Sequence, residues 1–323
     1  VTYPKQRKEK WLLYRNTGIV VLFTLVVTGL TLSGPVTWVK MIWLAPLIYI
    51  NYQLWMLHSA VHPRRIFSAL GMTPAAVNLP FSEVVLRSRD GLALAGWYVP
   101  GSRRAAIILV HGLSGSSSSM IYHAAALATY GYGALLFDLR GHGASQGDLC
   151  TAGVEEANDV LGAVDYLLSR EDVDPHQIGA LGISLGAQCA LRGAVDCPNI
   201  RAVVLEGLGA MNLEDHGNPP MTLLRRLYYP LNRLTYWLYD FAAGISNSAS
   251  TISVLKRLGR PALLITTGAG MEHKLGQVYQ KTLGEAVTLW EIPNARHAGG
   301  YFYNTKAYQE KVVQFFEQAF TVT

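Results

Sequence analysis

Ile178-Gly179-Ala180-Leu181-Gly182-Ile183-Ser184-Leu185-Gly186 is the stretch on which the reading of this chain turns. Ile178 to Leu181 reads as a buried strand. Ala187-Gln188-Cys189-Ala190-Leu191-Arg192 reads as the opening of a helix. Between them, Gly182-Ile183-Ser184-Leu185-Gly186 is a G-x-S-x-G turn. In a nucleophile elbow such a turn holds its serine in a strained strand-to-helix bend, where side chains two residues either side would meet neighbouring backbone. Ser184 is therefore the candidate nucleophile. A pentapeptide alone does not settle a fold, so its surroundings decide.

Working outward, short apolar runs alternate with helical periodicity. Phe81 to Arg87 and Leu92 to Val99 read as strands joined by Ser88-Arg89-Asp90-Gly91, where Asp-Gly suits a tight hairpin. Ala105 to Val110, Ala134 to Asp138, Arg201 to Glu206, Pro261 to Thr267 and Val287 to Ile292 read as further strands. Helices are expected over about Val154 to Ser169 and Thr305 to Phe320. This alternation predicts a mainly parallel sheet covered on both faces. It stops between Glu206 and Pro261, a gap too long for a plain connection. There, Leu224, Leu227, Tyr228, Leu231, Leu234, Leu238 and Phe241 recur at helical spacing, with Pro230 expected as a break. The gap reads as a helical insertion over about 208–256. Its stripe packs on the main domain or forms a cap whose aromatic inner face (Tyr228, Tyr229, Tyr236, Trp237, Tyr239) receives an apolar substrate group.

The charge is uneven. Of the 27 Lys/Arg and 22 Asp/Glu, residues 1 to 65 hold eight and one, a net of +7, which leaves 19 and 21, a net of −2, for the remainder. The basic character thus belongs to the N-terminus, and no nucleic-acid-binding face is expected. From Asn16 to Val39, and from Met41 to Pro63 with histidines neutral, there is no charged side chain, and each stretch has the length of about 20 residues that a bilayer demands. The expectation is a membrane anchor over residues 1–80 with two transmembrane helices, about 16–39 and 41–61, broken at Ser33-Gly34-Pro35. The flanking Lys5, Arg7, Lys8, Lys10, Arg15, Arg64 and Arg65 put both ends on the cytoplasmic side. The alternatives are a cleavable signal peptide, one span followed by a hydrophobic segment, weakened by Asn51, Gln53 and His58, that lies on the catalytic domain or at the interface, and a buried core helix pair. Cys150, Cys189 and Cys197 make no disulfide framework, and the nine histidines show no zinc-ligand spacing, so neither metal nor cofactor is expected.

From about Phe81 to the C-terminus, three quarters of the chain, the order of motifs resembles an α/β-hydrolase. The resemblance is to the serine esterase and acylaminoacyl-peptidase-like branch, including membrane-tethered forms. It rests on Asp90-Gly91 with Gly96-Trp97-Tyr98-Val99-Pro100, then His111-Gly112, then Asp138-Leu139-Arg140-Gly141-His142-Gly143-Ala144-Ser145, then the elbow, then His297. It implies an α/β-hydrolase fold, with the catalytic domain over 81–323. It also implies the chain order nucleophile, acid, histidine: Ser184 as nucleophile and His297 as base, with oxyanion donors at the Leu113 and Leu185 amides. His111 and His142 are then structural. The acid is expected three residues past Gly268, where Met271 stands. Glu272, one residue later, is the sole carboxylate in that loop and the first candidate. Glu206 is the fallback, and a dyad without an acid is the third possibility.

Together these readings describe a membrane-anchored serine hydrolase of carboxylic esters or related acyl bonds, with apolar acyl esters or lipid-like molecules as substrates. Two alternatives stay open: a peptidase removing acyl-amino acids or dipeptides, and a catalytically silent scaffold at the membrane. Oligomeric state is not legible.

Overall fold

The computed structural model describes residues 55–66, 72–217, 223–246 and 248–321, together with Gly29 and Tyr52. The chain divides into two compact units, Val1–Ser59 and Ala60–Thr323. In the first, Gly29, Tyr52 and residues 55–59 are helical, and the Tyr52 and Trp55 rings lie 6.2 Å apart. Among the described residues no helix is long and apolar enough to cross a membrane. Of the two expected spans, the one over about 16–39 lies outside the described residues except for Gly29, and the one over about 41–61 lies outside them except for Tyr52 and residues 55–61.

The second unit is built on an eight-stranded sheet in the order β1-β2-β4-β3-β5-β6-β7-β8. The strands are β1 (Ser82–Arg87), β2 (Ala93–Val99), β3 (Ala106–Val110), β4 (Gly133–Phe137), β5 (Ile178–Ile183), β6 (Ile200–Glu206), β7 (Ala262–Thr267) and β8 (Thr288–Ile292). β1 and β2 pair antiparallel, as does β2 with β4, and the remaining pairings are parallel. The hairpin turns at Gly91, whose φ of 96° only glycine adopts freely.

Helices cover both faces because the central strands are apolar on both sides. Along β3, Ile107 and Leu109 pack into one layer while Ile108 and Val110 pack into the other, all fully buried. Each such side chain contributes about 1.5–3 kcal/mol on leaving water. One layer is roofed by α1 (Ile121–Ala128) and α8 (Thr305–Thr321). The other is roofed by α2 (Ala157–Leu168), α3 (Leu185–Val195), α5 (Thr251–Leu258) and α6 (Gly270–Leu283). Between β6 and α5 runs α4 (Leu223–Ala243), and a single turn, α7 (Gly300–Tyr303), precedes α8.

Two details of the expected insertion change. Pro230 does not break it: α4 runs through Pro230, whose ring faces solvent, so the helix forfeits one backbone hydrogen bond and continues. The last helix of the stretch, α5, belongs to the core, with Ile252, Val254, Leu255 and Leu258 buried against α3.

The chain leaves β3 for β4 on one side and returns to β5 on the other. The loops after β3 and β5 therefore diverge and open a crevice at the carboxyl ends of the strands, the usual ligand site of an open α/β sheet. In-register pairing of Val110 with Gly182 and of Ile183 with Glu206 brings the ends of β3, β5 and β6 to one level.

Candidate active site

Ser184 stands on the bend between β5 and α3 with φ 55° and ψ −113°, a conformation that L side chains rarely adopt. The two flanking glycines permit it. A Cβ on Gly182 would lie 2.1 Å from the Gly186 carbonyl, and one on Gly186 would lie 2.1 Å from the Val110 carbonyl. The Ser184 N–H donates to the Glu206 carbonyl at 2.8 Å, which fixes the bend to the neighbouring strand.

The structure brings Ser184, His297 and Glu272 into one row. The Ser184 Oγ lies 2.9 Å from His297 Nε2, and His297 Nδ1 lies 2.6 Å from Glu272 Oε2. With a carboxylate at Nδ1, the neutral ring carries its proton there, leaving Nε2 to accept from the serine hydroxyl. The hydrogen bond to Glu272 raises the His297 pKa above the ordinary imidazole value, against a partial desolvation that lowers it. The His297 side chain remains 57 % accessible, open to a substrate, while that of Glu272 is 12 % accessible. Glu272 is held in turn by the Thr267 N–H, which donates to its Oε1 at 2.9 Å. It lies on the first turn of α6, which opens at Gly270 with φ 75°, while Met271 points outward, 59 % exposed.

Glu206, the fallback acid, is otherwise engaged. Its side chain is buried, accepting the Gly300 N–H at 2.8 Å on Oε1 and the Tyr308 hydroxyl at 2.7 Å on Oε2. It touches neither ring nitrogen of His297. It holds the loop that carries that histidine, in which Asn294 and Ala298 both have left-handed φ of 64° and 56°. Burial raises its pKa. Beside it, Gly207 must be glycine, because a Cβ there would lie 2.8 Å from His297 Cε1. Sequence reasoning misses this clamp, for which a carboxylate at the end of an apolar strand is the one signal.

Leu185 opens α3, so its N–H is among the orphan donors of a helix N-terminus. Leu113 lies on the loop after β3, and both leucines line the same cleft as Ser184 and His297. The loop sits tight against the nucleophile: a Cβ on Gly112 would lie 3.4 Å from that of Ser184. Asp138 fastens its far end, accepting the Ser117 N–H at 2.6 Å and the Ala144 N–H at 2.8 Å. His111 and His142 are fully buried beneath, with ring centroids 5.1 Å apart. The Leu139 N–H donates to His111 Nε2 at 3.0 Å, and burial depresses the His111 pKa to about 4, so this ring stays neutral.

The cleft measures about 360 Å³. Helix α4 supplies some of its wall, but only in part as expected. Tyr236 and Tyr239 line the cavity, whereas Trp237 faces outward at 58 % exposure and Tyr229 is also exposed. The side chain of Tyr228 lies outside the described ones. From the expected apolar stripe, Leu234 and Phe241 face solvent at 48 % and 72 %.

A family model described as serine aminopeptidase, S33, matches residues 101–251. An uncharacterized protein of Mycobacterium tuberculosis is 34% identical over 172 residues, 51% of this chain; the match spans 60% of that relative's length. The Arabidopsis thaliana alpha/beta hydrolase domain-containing protein WAV2 is 23% identical over 263 residues, covering 76% of this chain and 82% of its own. Among solved structures, an esterase of Pyrococcus furiosus superposes with a TM-score of 0.62 at 24% identity, over 80% of this chain and 98% of its own. The fold of the second unit is the α/β-hydrolase fold.

Proposed function

We propose that this chain is a serine hydrolase that cleaves carboxylic esters through an acyl-enzyme. The observation that carries the reading is the hydrogen-bonded row Ser184, His297, Glu272 opening into the cleft. As Ser184 Oγ attacks the ester carbonyl carbon, its proton passes to His297 Nε2 and Glu272 steadies the imidazolium. Negative charge gathers on the former carbonyl oxygen, where the Leu113 and Leu185 amides would receive it. Collapse expels the alcohol, which takes the proton from Nε2, and a water then repeats the sequence on the acyl-serine to release the acid.

The lining favours an acyl group over a peptide amino end. No Asp or Glu is among the described residues lining the cleft, so a free ammonium has no countercharge there. Tyr236, Tyr239, Met211 and Leu185 instead offer apolar surface. The proposal includes attachment to a membrane through the N-terminal apolar stretches, with the catalytic unit on the cytoplasmic side. Apolar acyl esters and lipid-like molecules are then the substrates at hand. The outward row Leu234, Trp237 and Phe241 on α4, with exposed Arg226 and Arg233 on the same helix, suits a lipid interface.

The test is labelling of the full chain, in its membrane fraction, with a fluorophosphonate, alongside hydrolysis of an ester series graded by chain length. Wild type is expected to label, and Ser184→Ala and His297→Ala to lose both labelling and turnover by on the order of 10⁴-fold or more. Folded wild type that never reacts would overturn the reading in favour of a silent scaffold.

A further inference from the structure

Gln188 lies one helical turn beyond Ser184 on α3, about 6 Å along the axis, and lines the same cleft. The residue is 4 % exposed. The orientation of its amide is fixed. Nε2 donates to the Gly209 carbonyl at 2.8 Å and to Thr251 Oγ1 at 2.9 Å, while Thr251 Oγ1 itself donates to the same carbonyl at 3.0 Å. A flipped amide would set its oxygen against the Gly209 oxygen, so Oε1 is the atom left over. It is buried without a hydrogen-bond partner among the described residues.

The other polar side chains on this wall are occupied. Thr235 Oγ1 donates to the Leu231 carbonyl at 3.0 Å, the Tyr236 hydroxyl pairs with His216 Nε2 at 2.9 Å, and the Tyr239 hydroxyl reaches the Cys150 carbonyl at 3.4 Å. A buried carbonyl without a donor is costly, and native proteins rarely leave one so. A lone water would be a poor remedy, since it needs two to four polar partners of its own.

Resting on the ester-hydrolase reading above, we infer that Gln188 Oε1 is a specificity determinant that accepts a hydrogen bond from a neutral donor on the acyl group. The preferred substrates are esters of hydroxylated acyl chains rather than of plain alkyl chains. The donor must be neutral, because no carboxylate on the wall compensates a charge. That donor is assigned to the acyl part, because Gln188 sits one helical turn behind Ser184, the residue to which the acyl group becomes covalently attached.

The experiment compares p-nitrophenyl esters of one chain length whose acyl groups carry hydrogen, a hydroxyl or a methoxy group at successive carbons, using the full chain and the Gln188→Met variant. In wild type, one hydroxyl position is expected to raise kcat/KM roughly tenfold over the plain ester, and the methoxy analogue, which cannot donate, to lose that gain. In Gln188→Met, the hydroxyl-to-plain ratio within the variant is expected to fall to about one. The ratio is internal to each protein, so a general loss of activity does not disturb it, and the methoxy arm makes the same test without a substitution. Turnover with no preference at any position, or a preference that survives in Gln188→Met, would overturn the inference and leave the serine-hydrolase reading standing. Absence of both turnover and fluorophosphonate labelling would instead bring down that reading, and this inference with it.

Discussion

At the scale of single residues, Glu272 does two things to His297: it fixes the tautomer and it raises the pKa. The base is competent only when neutral, so activity is expected to fall as pH drops through a value above the ordinary imidazole pKa of about 6.5. Glu272→Gln removes the cause of that rise. It should lower kcat by on the order of 10³–10⁴-fold and move the acid limb of the rate profile to lower pH, measured by labelling rate against pH. An unmoved limb would separate Glu272 from the titration of His297. Glu206 acts at one remove, through Gly300, on a loop kept in left-handed conformations. Glu206→Ala should lower kcat about 10²-fold with little change in KM, and Glu206→Gln should recover part of it, since a displacement of about 1 Å at a catalytic group costs that much. Equal loss in both variants, with KM rising, would contradict a positioning role. The place of Ser184 is legible in the sequence because its motif is local, while that of His297 is read from the chain order that the resemblance implies. The acid is displaced from the counted position because Gly270 lets α6 begin at once, so a first-turn carboxylate stands where the count expects a loop residue. The clamp on Gly300 is not legible, for its partners lie 94 residues apart.

At the scale of elements, β3 to β7 are legible as apolar runs, because a strand buried on both faces is apolar at successive positions and is bounded by turns, whereas the exposed β1 is legible through the Asp90-Gly91 turn that joins it to β2. The helices over 208–256 are harder to read. Amphipathic spacing says that a helix has two faces but not what covers either, and so α5 reads as part of the insertion although it packs on α3. For α4 the consequence is a division of labour that mutagenesis can separate. Trp237→Ala with Phe241→Ala should leave the unfolding midpoint nearly unchanged, each within about 0.5 kcal/mol, since both side chains face solvent. The same pair should weaken sedimentation with anionic vesicles. Tyr239→Ala, on the inner side, should instead shift the ester-length optimum towards longer acyl chains, and an unaltered length profile would remove Tyr239 from the acyl wall.

At the scale of the whole molecule, Arg140 gathers segments that the chain keeps far apart. Its guanidinium meets Asp159 of α2 and Asp90 of the β1–β2 turn, both at 2.8 Å, and Glu155 at 3.3 Å. Arg140→Met would strand Asp159, which has no exposure, as a buried unpaired carboxylate. The loss in unfolding free energy should be about 3–5 kcal/mol, read by urea denaturation, and a change under 1 kcal/mol would mean that solvent reaches Asp159. The row of Ser184, His297 and Glu272 is assembled over a comparable distance: its serine and histidine are 113 residues apart, and their approach needs β5, β6, β7 and β8 paired in register. Contacts so remote in sequence form late, after local helices. In a refolding experiment, recovery of fluorophosphonate reactivity should therefore trail recovery of far-ultraviolet circular dichroism. The serine would then serve as a clock for the closing of the sheet, blind to every earlier stage and alert only to the last.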